Sequence, residues 1–177
     1  MGLRINGDIF IISEYSHVKP GKGSAFVRIK LKNIKTKQVL ERTFKTADKL
    51  DDVPLEERKL QNLYKSGDSF HFMDYSTYEE MIVPESVIGD DVKFLQDDLE
   101  VTGTIYNDDV LRIILPFFIK AEIVQTDPGL KGDSSKAGYK PATIDAGATI
   151  QVPLFVNIGD FVKVDTRTGT YVERVKK

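Results

Sequence analysis

Apolar and polar residues alternate along residues 25–34, AFVRIKLKNI, and this period of two predicts a β-strand. Three apolar side chains are expected on one face and three basic side chains on the other: Val27, Ile29 and Leu31, and Arg28, Lys30 and Lys32. The preceding stretch, GDIFIISEYSHV, is β-branched and aromatic, and VLERTF follows a predicted turn at 35–38. Residues 1–52 are therefore predicted to form a small antiparallel barrel or curled sheet with a cationic outer face.

The next segment begins after an acidic stretch with a proline, DKLDDVPLEE at 48–57, which predicts a domain boundary near residue 52. Two strands are expected around a turn at 65–68, another turn near 75–77, and a hairpin of EVTGTIY and VLRIILP around 107–109. Pro84 suits the first turn of a helix over PESVIGDDVKFLQDD, which Gly89 would shorten or interrupt. Residues 53–117 are thus predicted to be a five-stranded OB barrel with one small helix.

Residues 118–177 form a third predicted β-barrel. FFIKAEIV is read as a strand, TDPGLKGDSSKAGYKPA as a long polar loop, and DFVKVDTRTGTYVERV as a hairpin around Thr168-Gly169. ATIQVPLFV alternates again, and Pro153 within it predicts an edge or bulge position. Because the second and third segments share no repeat of fixed period, any duplication between them would be structural only. The fold class is therefore mainly β, with three small barrels.

Charge is distributed unevenly along the 177 residues. Residues 1–50 carry a net charge of +7, residues 51–117 of −11, and residues 118–177 of +2. A basic end in a chain with a net charge of −2 indicates a localised contact with a polyanion, although solvent-facing strand lysines would give the same pattern. The chain contains no cysteine, no apolar run of about 20 residues and no signal-peptide pattern, which fits a cytoplasmic protein.

No motif for catalysis is found. The two histidines, His17 and His71, have no metal-ligand spacing, and four adjacent aspartate pairs lie in predicted loops or helix ends without calcium-loop spacing. GKGS at 21–24 has the wrong order for a phosphate-binding loop. We therefore expect no catalytic residue, metal or cofactor, and interpret the chain as a binding protein rather than an enzyme.

The loop KPGKG at 19–23 is the most distinctive short stretch. Pro20 restricts its own backbone, and Gly21 and Gly23 permit positive φ and remove side-chain bulk beside Lys22. Lys22 is therefore expected to protrude. These five residues alone also fit an ordinary exposed hairpin lysine.

Three longer stretches carry a resemblance to a known family: HVKPGKGSAFVRIKLKN, GDSFHFMDYSTYEE and a third that contains KPATIDAGATIQVPLFVNIG. In this order and spacing they resemble bacterial elongation factor P over nearly the whole chain. The resemblance implies an SH3-like (KOW-like) N-terminal domain and two OB domains in an L-shaped, tRNA-like outline. Other members carry further residues before the stretch that matches GLRI.

The resemblance also implies a function. Members bind the ribosome between the peptidyl-tRNA and exit-tRNA sites, contact both subunits and promote peptide bond formation at consecutive prolines. Lys22 would face the CCA end of peptidyl-tRNA, framed by Lys19, Pro20, Gly21 and Gly23, and a lysine-modifying enzyme is an expected partner. A lysine rather than an arginine argues against the branch that carries rhamnosyl-arginine. The factor is expected to act as a monomer.

Further site residues are expected from the residues and from the resemblance. Arg28, Lys30 and Lys32 are candidates for contacts with tRNA or ribosomal RNA phosphates. A family loop near the exit-site codon corresponds to five candidate residues, Gly89, Asp90, Asp91, Lys93 and Phe94, where the family commonly has Gly-Asp-Asn-Ala-Lys-Trp. Tyr171 and Arg174 match positions linked to activity. The alternative hypothesis is a generic RNA-binding OB protein whose lysine has no special role.

Overall fold

The computed structural model describes residues 2–18, 25–45, 48–128 and 138–176. Across these ranges it contains fifteen β-strands in three five-stranded sheets, one short α-helix and one 3₁₀ helix. The predicted mainly-β class is confirmed. No helix in the described ranges is long and apolar enough to cross a membrane. Nor do three or more His, Asp or Glu side chains in these ranges group as metal ligands.

The first sheet consists of β1 (Gly2–Ile5), β2 (Asp8–Val18), β3 (Phe26–Asn33), β4 (Val39–Lys45) and β5 (Asp52–Val53), in the order β4-β3-β2-β1-β5. The predicted alternation in β3 is confirmed, because Ile29 and Leu31 are buried while Arg28 and Lys30 are exposed. Ile29 and Leu31 pack with Leu3 and Phe10 in one apolar core.

The N-terminal hairpin was not resolved by the sequence pattern, which gave no separate strand before GDIF. Asn6 and Gly7 form a two-residue turn with φ of 52° and 89°, and Ile5 pairs with Asp8 across it. Asn-Gly is a strong signal for a tight hairpin turn, since both central residues need positive φ. Val53 in β5 pairs with Gly2, so residues near the expected boundary extend the first sheet.

The second sheet consists of β6 (Glu56–Ser66), β7 (Ser69–Asp74), β8 (Glu80–Pro84), β9 (Glu100–Tyr106) and β10 (Asp109–Ile114), in the order β10-β9-β6-β7-β8. Its predicted turns and hairpins are confirmed. Pro84 caps the α-helix α1 (Glu85–Ile88) rather than occupying its first turn. Gly89, with φ of 70°, then ends α1, and the 3₁₀ helix Gly89–Phe94 follows, so the predicted interruption is confirmed.

The third sheet consists of β11 (Phe118–Thr126), β12 (Tyr139–Ile144), β13 (Thr149–Pro153), β14 (Phe161–Asp165) and β15 (Thr170–Val175), in the order β13-β12-β11-β14-β15. Pro153 lies on an edge strand, as predicted. The second and third sheets have the same order: the first strand is central, the second and third lie on one side, and the fourth and fifth lie on the other. The two sheets thus share a strand order although their segments share no sequence repeat of fixed period.

The chain divides into two compact units, residues 1–58 with 103–113 and residues 59–102 with 114–177. The first unit is built on the apolar core around Leu3 and Leu31. In the second unit, Leu60, Phe72, Ile123 and Ile144 are completely or almost completely buried. The edge strands β13 and β15 lie close to each other, which curls the third sheet.

Candidate nucleic-acid interface

The lysine loop joins β2 to β3. Lys19, Pro20, Gly21, Lys22 and Gly23 lie outside the described residues. The strands on either side are paired up to Val18 and Phe26. Lys22 is therefore the central residue of the chain segment that connects this antiparallel pair.

The basic face of β3 is partly neutralised by its neighbours. Lys30 Nζ lies 2.7 Å from Glu14 Oε2, and Arg28 Nε lies 3.1 Å from Glu41 Oε1. The hydrogen bond and the charge of Glu14 raise the pKa of Lys30. Lys32 is half-buried between Ile11 on β2 and Val39 on β4. This surface is a row of exposed ion pairs rather than a purely cationic patch.

Sequence reasoning missed Glu14 and Glu41 as partners of these cations. The register places Glu14, Lys30 and Glu41 in one row across three strands. A bulge between Ile12 and Glu14 sets that row. Alternation within one strand predicts which face a residue occupies, but it does not locate a bulge in the neighbouring strand.

The Gly89–Phe94 segment separates into exposed and buried parts. Gly89, Asp90, Asp91 and Lys93 are exposed, whereas Phe94 is only 2% exposed. Lys93 Nζ lies 5.3 Å from the Phe94 ring centroid. The backbone carbonyl oxygen of Lys93 accepts a hydrogen bond from Ala148 N at 3.1 Å. The structure therefore places Phe94 in the core, where it anchors the segment and is not available for a surface contact.

The two candidates in β15 lie in different environments. Tyr171 is half-buried and pairs with Val164. Arg174 is exposed, its Nη1 lies 3.6 Å from Asp160 Oδ2, and its guanidinium carbon lies 5.5 Å from the Phe155 ring centroid. Arg174 is thus accessible to a ligand, while Tyr171 contributes mainly to packing.

The histidines take part in no described ligand cluster. His17 is exposed, and His71 stacks on Tyr64 with ring centroids 4.4 Å apart. His71 Nδ1 also contacts Glu80 Oε1, to which Tyr64 Oη donates a hydrogen bond of 3.0 Å. The hydrogen bonds from His71 and then from Tyr64 lower the pKa of Glu80. This cluster ties three neighbouring strands of the second sheet together.

Three sequence models match the chain in order. "Elongation factor P (EF-P) KOW-like domain" matches residues 1–50, "Elongation factor P (EF-P) OB domain" matches 55–113, and "Elongation factor P, C-terminal" matches 119–174. The predicted combination of a KOW-like domain with OB folds is thereby confirmed.

Relatives that align along nearly their whole length are also named elongation factor P. Elongation factor P of Thermoanaerobacter sp. (strain X514) is 43% identical over 173 residues, which cover 98% of this chain and 94% of that protein. Elongation factor P of Microcystis aeruginosa is 48% identical over 172 residues, covering 97% and 93%. A solved structure, eukaryotic translation initiation factor 5A from Methanococcus jannaschii, is 30% identical, with a TM-score of 0.48 over 64% of this chain and 87% of that chain. The chain therefore belongs to the elongation factor P family, whose members are translation factors and not enzymes.

Proposed function

We propose that the protein binds the ribosome between the peptidyl-tRNA and exit-tRNA sites and promotes peptide bond formation when consecutive prolines slow it. The observation that carries this proposal is the position of Lys22. In the sequence it is the middle residue between Val18 and Phe26, the last described pair of β2 and β3, in a chain of which 98% aligns with an elongation factor P. A lysine at the centre of a strand connection suits a reach toward the CCA end of peptidyl-tRNA.

The proposed contribution is positional. Ribosomal RNA performs the chemistry, and the loop steadies the tRNA end so that less orientational entropy is lost on reaching the reactive geometry. Proline restricts the backbone and is a poor participant, so orientation is the step most open to assistance. A group added to the Lys22 amine by a modifying enzyme would extend its reach.

Contacts with RNA phosphates are proposed for Arg28, Lys30 and Lys32. Arg28 and Lys30 are already paired with glutamates, so a phosphate would have to compete with Glu41 and Glu14. Exposed ion pairs contribute little to stability, so a phosphate can replace the glutamates with little loss of stability. With such contacts, the affinity for RNA would fall as the salt concentration rises.

Two further regions are proposed as contacts, one near the exit-site codon and one at the C-terminal positions linked to activity in the family. In the first, Gly89, Asp90, Asp91 and Lys93 supply the accessible surface, and buried Phe94 holds the segment in place. In the second, Arg174 is the exposed member, and Tyr171 supports its strand.

We propose further that residues 1–52, 53–117 and 118–177 act as three domains of a cytoplasmic monomer.

The test is a Lys22→Ala variant in a cell-free translation assay with a reporter that contains consecutive prolines. We expect loss of stimulation on this reporter and no change on a matched reporter without prolines. Lys35→Ala is the control, since Lys35 is an exposed lysine in the next hairpin connection, between β3 and β4. Unchanged stimulation by the Lys22 variant would refute the tip mechanism and favour the generic RNA-binding alternative. Intact mass of the protein from its native host identifies any group on Lys22.

A further inference from the structure

Two consecutive phenylalanines are exposed where the chain enters the third sheet. Phe117 is 60% exposed and Phe118 is 44% exposed, and Phe118 begins β11. Large aromatic side chains bury much apolar area when a surface is available. The fold does not use these two rings for its core, so their exposed faces can stack on a ligand.

Cations lie over both rings. The Arg167 guanidinium carbon is 4.6 Å from the Phe117 centroid and 5.8 Å from the Phe118 centroid. Lys163 Nζ is 4.9 Å from the Phe118 centroid. These distances are within the range of cation–π interactions.

Asp165 holds the Arg167 guanidinium in this position. Arg167 Nη2 donates to Asp165 Oδ2 at 2.6 Å, and Arg167 Nε donates to Oδ1 at 3.0 Å. The paired hydrogen bonds raise the pKa of Arg167 and lower the pKa of Asp165, which keeps both groups charged. The plane of the guanidinium is therefore preorganised beside the two rings.

A further cation, Lys120, extends this surface along the sheet. Lys120 on β11 lies directly opposite Lys163 on β14, on the face away from buried Ile119 and Ala121. Like charges directly opposite each other destabilise a strand pair. Lys120 Nζ lies 5.0 Å from the Phe161 ring centroid, and Lys163 Nζ is 3.3 Å from Glu173 Oε1. This arrangement is one that a bound anion would stabilise.

Lys120 also lines a groove of about 650 Å³ in the same unit, with Lys65 and Phe70 on its wall. Lys65 Nζ lies 5.2 Å from the Phe70 ring centroid and 2.7 Å from Glu85 Oε2. Gln96 and Asp145 also line the groove, and Gln96 Nε2 donates to both Asp145 oxygens at 2.8 and 3.0 Å. Phe70 is only 4% exposed, and Asp97 and Asp145 also line the groove, so the groove contributes lysine charge at its edge but no second aromatic face.

We propose that this stacking surface, formed by Phe117, Phe118, Lys120, Lys163 and Arg167, binds single-stranded RNA. Bases stack on the two phenylalanines, and phosphates lie along Lys120, Lys163 and Arg167. A single strand is required because the rings need unpaired base faces, and such stacking is tolerant of sequence. The inference rests on the proposed function in taking this RNA to be an unpaired segment of the ribosome.

The test measures fluorescence anisotropy of a labelled oligouridine of about 12 nucleotides, within the site sizes of single-strand binders, titrated with the full chain. Phe117→Ala/Phe118→Ala is expected to weaken binding about tenfold or more. Lys120→Ala/Lys163→Ala is expected to reduce the slope of log affinity against log salt by about 0.7 for each phosphate that the variant no longer neutralises. A hairpin duplex is expected to bind more weakly than the single strand.

The controls are Ile82→Ala, which removes an apolar side chain that is 64% exposed, and Lys59→Ala, which removes a basic side chain that is 62% exposed, both from the same unit. Melting temperatures show that each variant is folded. If the phenylalanine variant binds the oligomer as well as the controls do, or if duplex and single strand bind equally, the inference is overturned. It is likewise overturned if the variant loses ribosome binding but keeps oligomer binding, because a protein partner then occupies the surface.

Failure of the RNA-binding inference can be told apart from failure of the proposed function. If oligouridine binding depends on the stacking surface while Lys22→Ala still stimulates the reporter with consecutive prolines, the tip mechanism is refuted and RNA binding by the surface is retained. If Lys22→Ala abolishes stimulation while the phenylalanine variant binds RNA normally, the tip mechanism is retained and RNA binding by the stacking surface is refuted.

Discussion

Replacing Phe94 with alanine removes a buried ring from the short helical segment of the second unit, where α1 is followed by the 3₁₀ helix. Phe94 is 2% exposed and ends the 3₁₀ helix Gly89–Phe94. A methyl group placed on Gly169, in the β14–β15 turn, would lie 3.4 Å from Phe94 Cζ. The ring therefore fills the space between this segment and the turn.

The expected loss follows from this burial. Phe→Ala at buried positions costs about 3–5 kcal/mol, the sum of lost transfer free energy and of the cavity left behind. Because whole domains are stable by about 5–15 kcal/mol, the variant should lose a large part of the unit's stability. Phe117→Ala makes the same chemical change at a side chain that is 60% exposed, and a cost below about 1 kcal/mol is expected there.

Urea unfolding followed by circular dichroism measures both variants against the unchanged chain. We expect a lower midpoint with an unchanged m value for Phe94→Ala, and nearly the original midpoint for Phe117→Ala. Equal losses in the two variants, or a loss below about 1.5 kcal/mol for Phe94→Ala, would refute the assignment of Phe94 to the core. Lys93→Ala then separates the roles, since it should change ribosome binding with little effect on unfolding.

Three further results are expected. Glu14→Gln frees Lys30 for phosphates, so ribosome sedimentation assays should show tighter binding at low salt and a steeper salt dependence; unchanged binding would exclude this row as a contact. Because the pKa of Glu80 is lowered, its carboxylate stabilises the fold at any pH above 4.5, the ordinary pKa of a glutamate. This stabilisation is lost as the pH falls through the lowered pKa. Urea midpoints of Glu80→Gln should therefore vary less with acidification than those of the original chain, and parallel curves would contradict the assignment. Gly7→Ala should destabilise by about 1–2 kcal/mol in thermal unfolding, because φ at Gly7 is 89° although an added Cβ would meet no atom within 4 Å; an unchanged midpoint would mean that the turn relaxes.

Local patterns were sufficient to predict most of the strands. A period of two requires only that one face be buried, so the core positions Ile29 and Leu31 could be predicted from the sequence alone. Glycine and proline likewise marked the interruption at Gly89 and the edge position of Pro153, because their backbone limits are local. The Asn6-Gly7 turn was equally local, and it was missed because β1 is only four residues long.

What a side chain contacts was decided by the tertiary structure. The ion pairs of Arg28 and Lys30 depend on the bulge in β2, which sets the register between strands. Phe94 is buried because the segment folds back onto the β14–β15 turn. Phe117, Lys120, Lys163 and Arg167 form one surface only because β11 pairs with β14. The sequence by itself thus determined the strands, the family and the position of Lys22, whereas the partners of each charge and ring required pairing between segments that lie far apart along the chain.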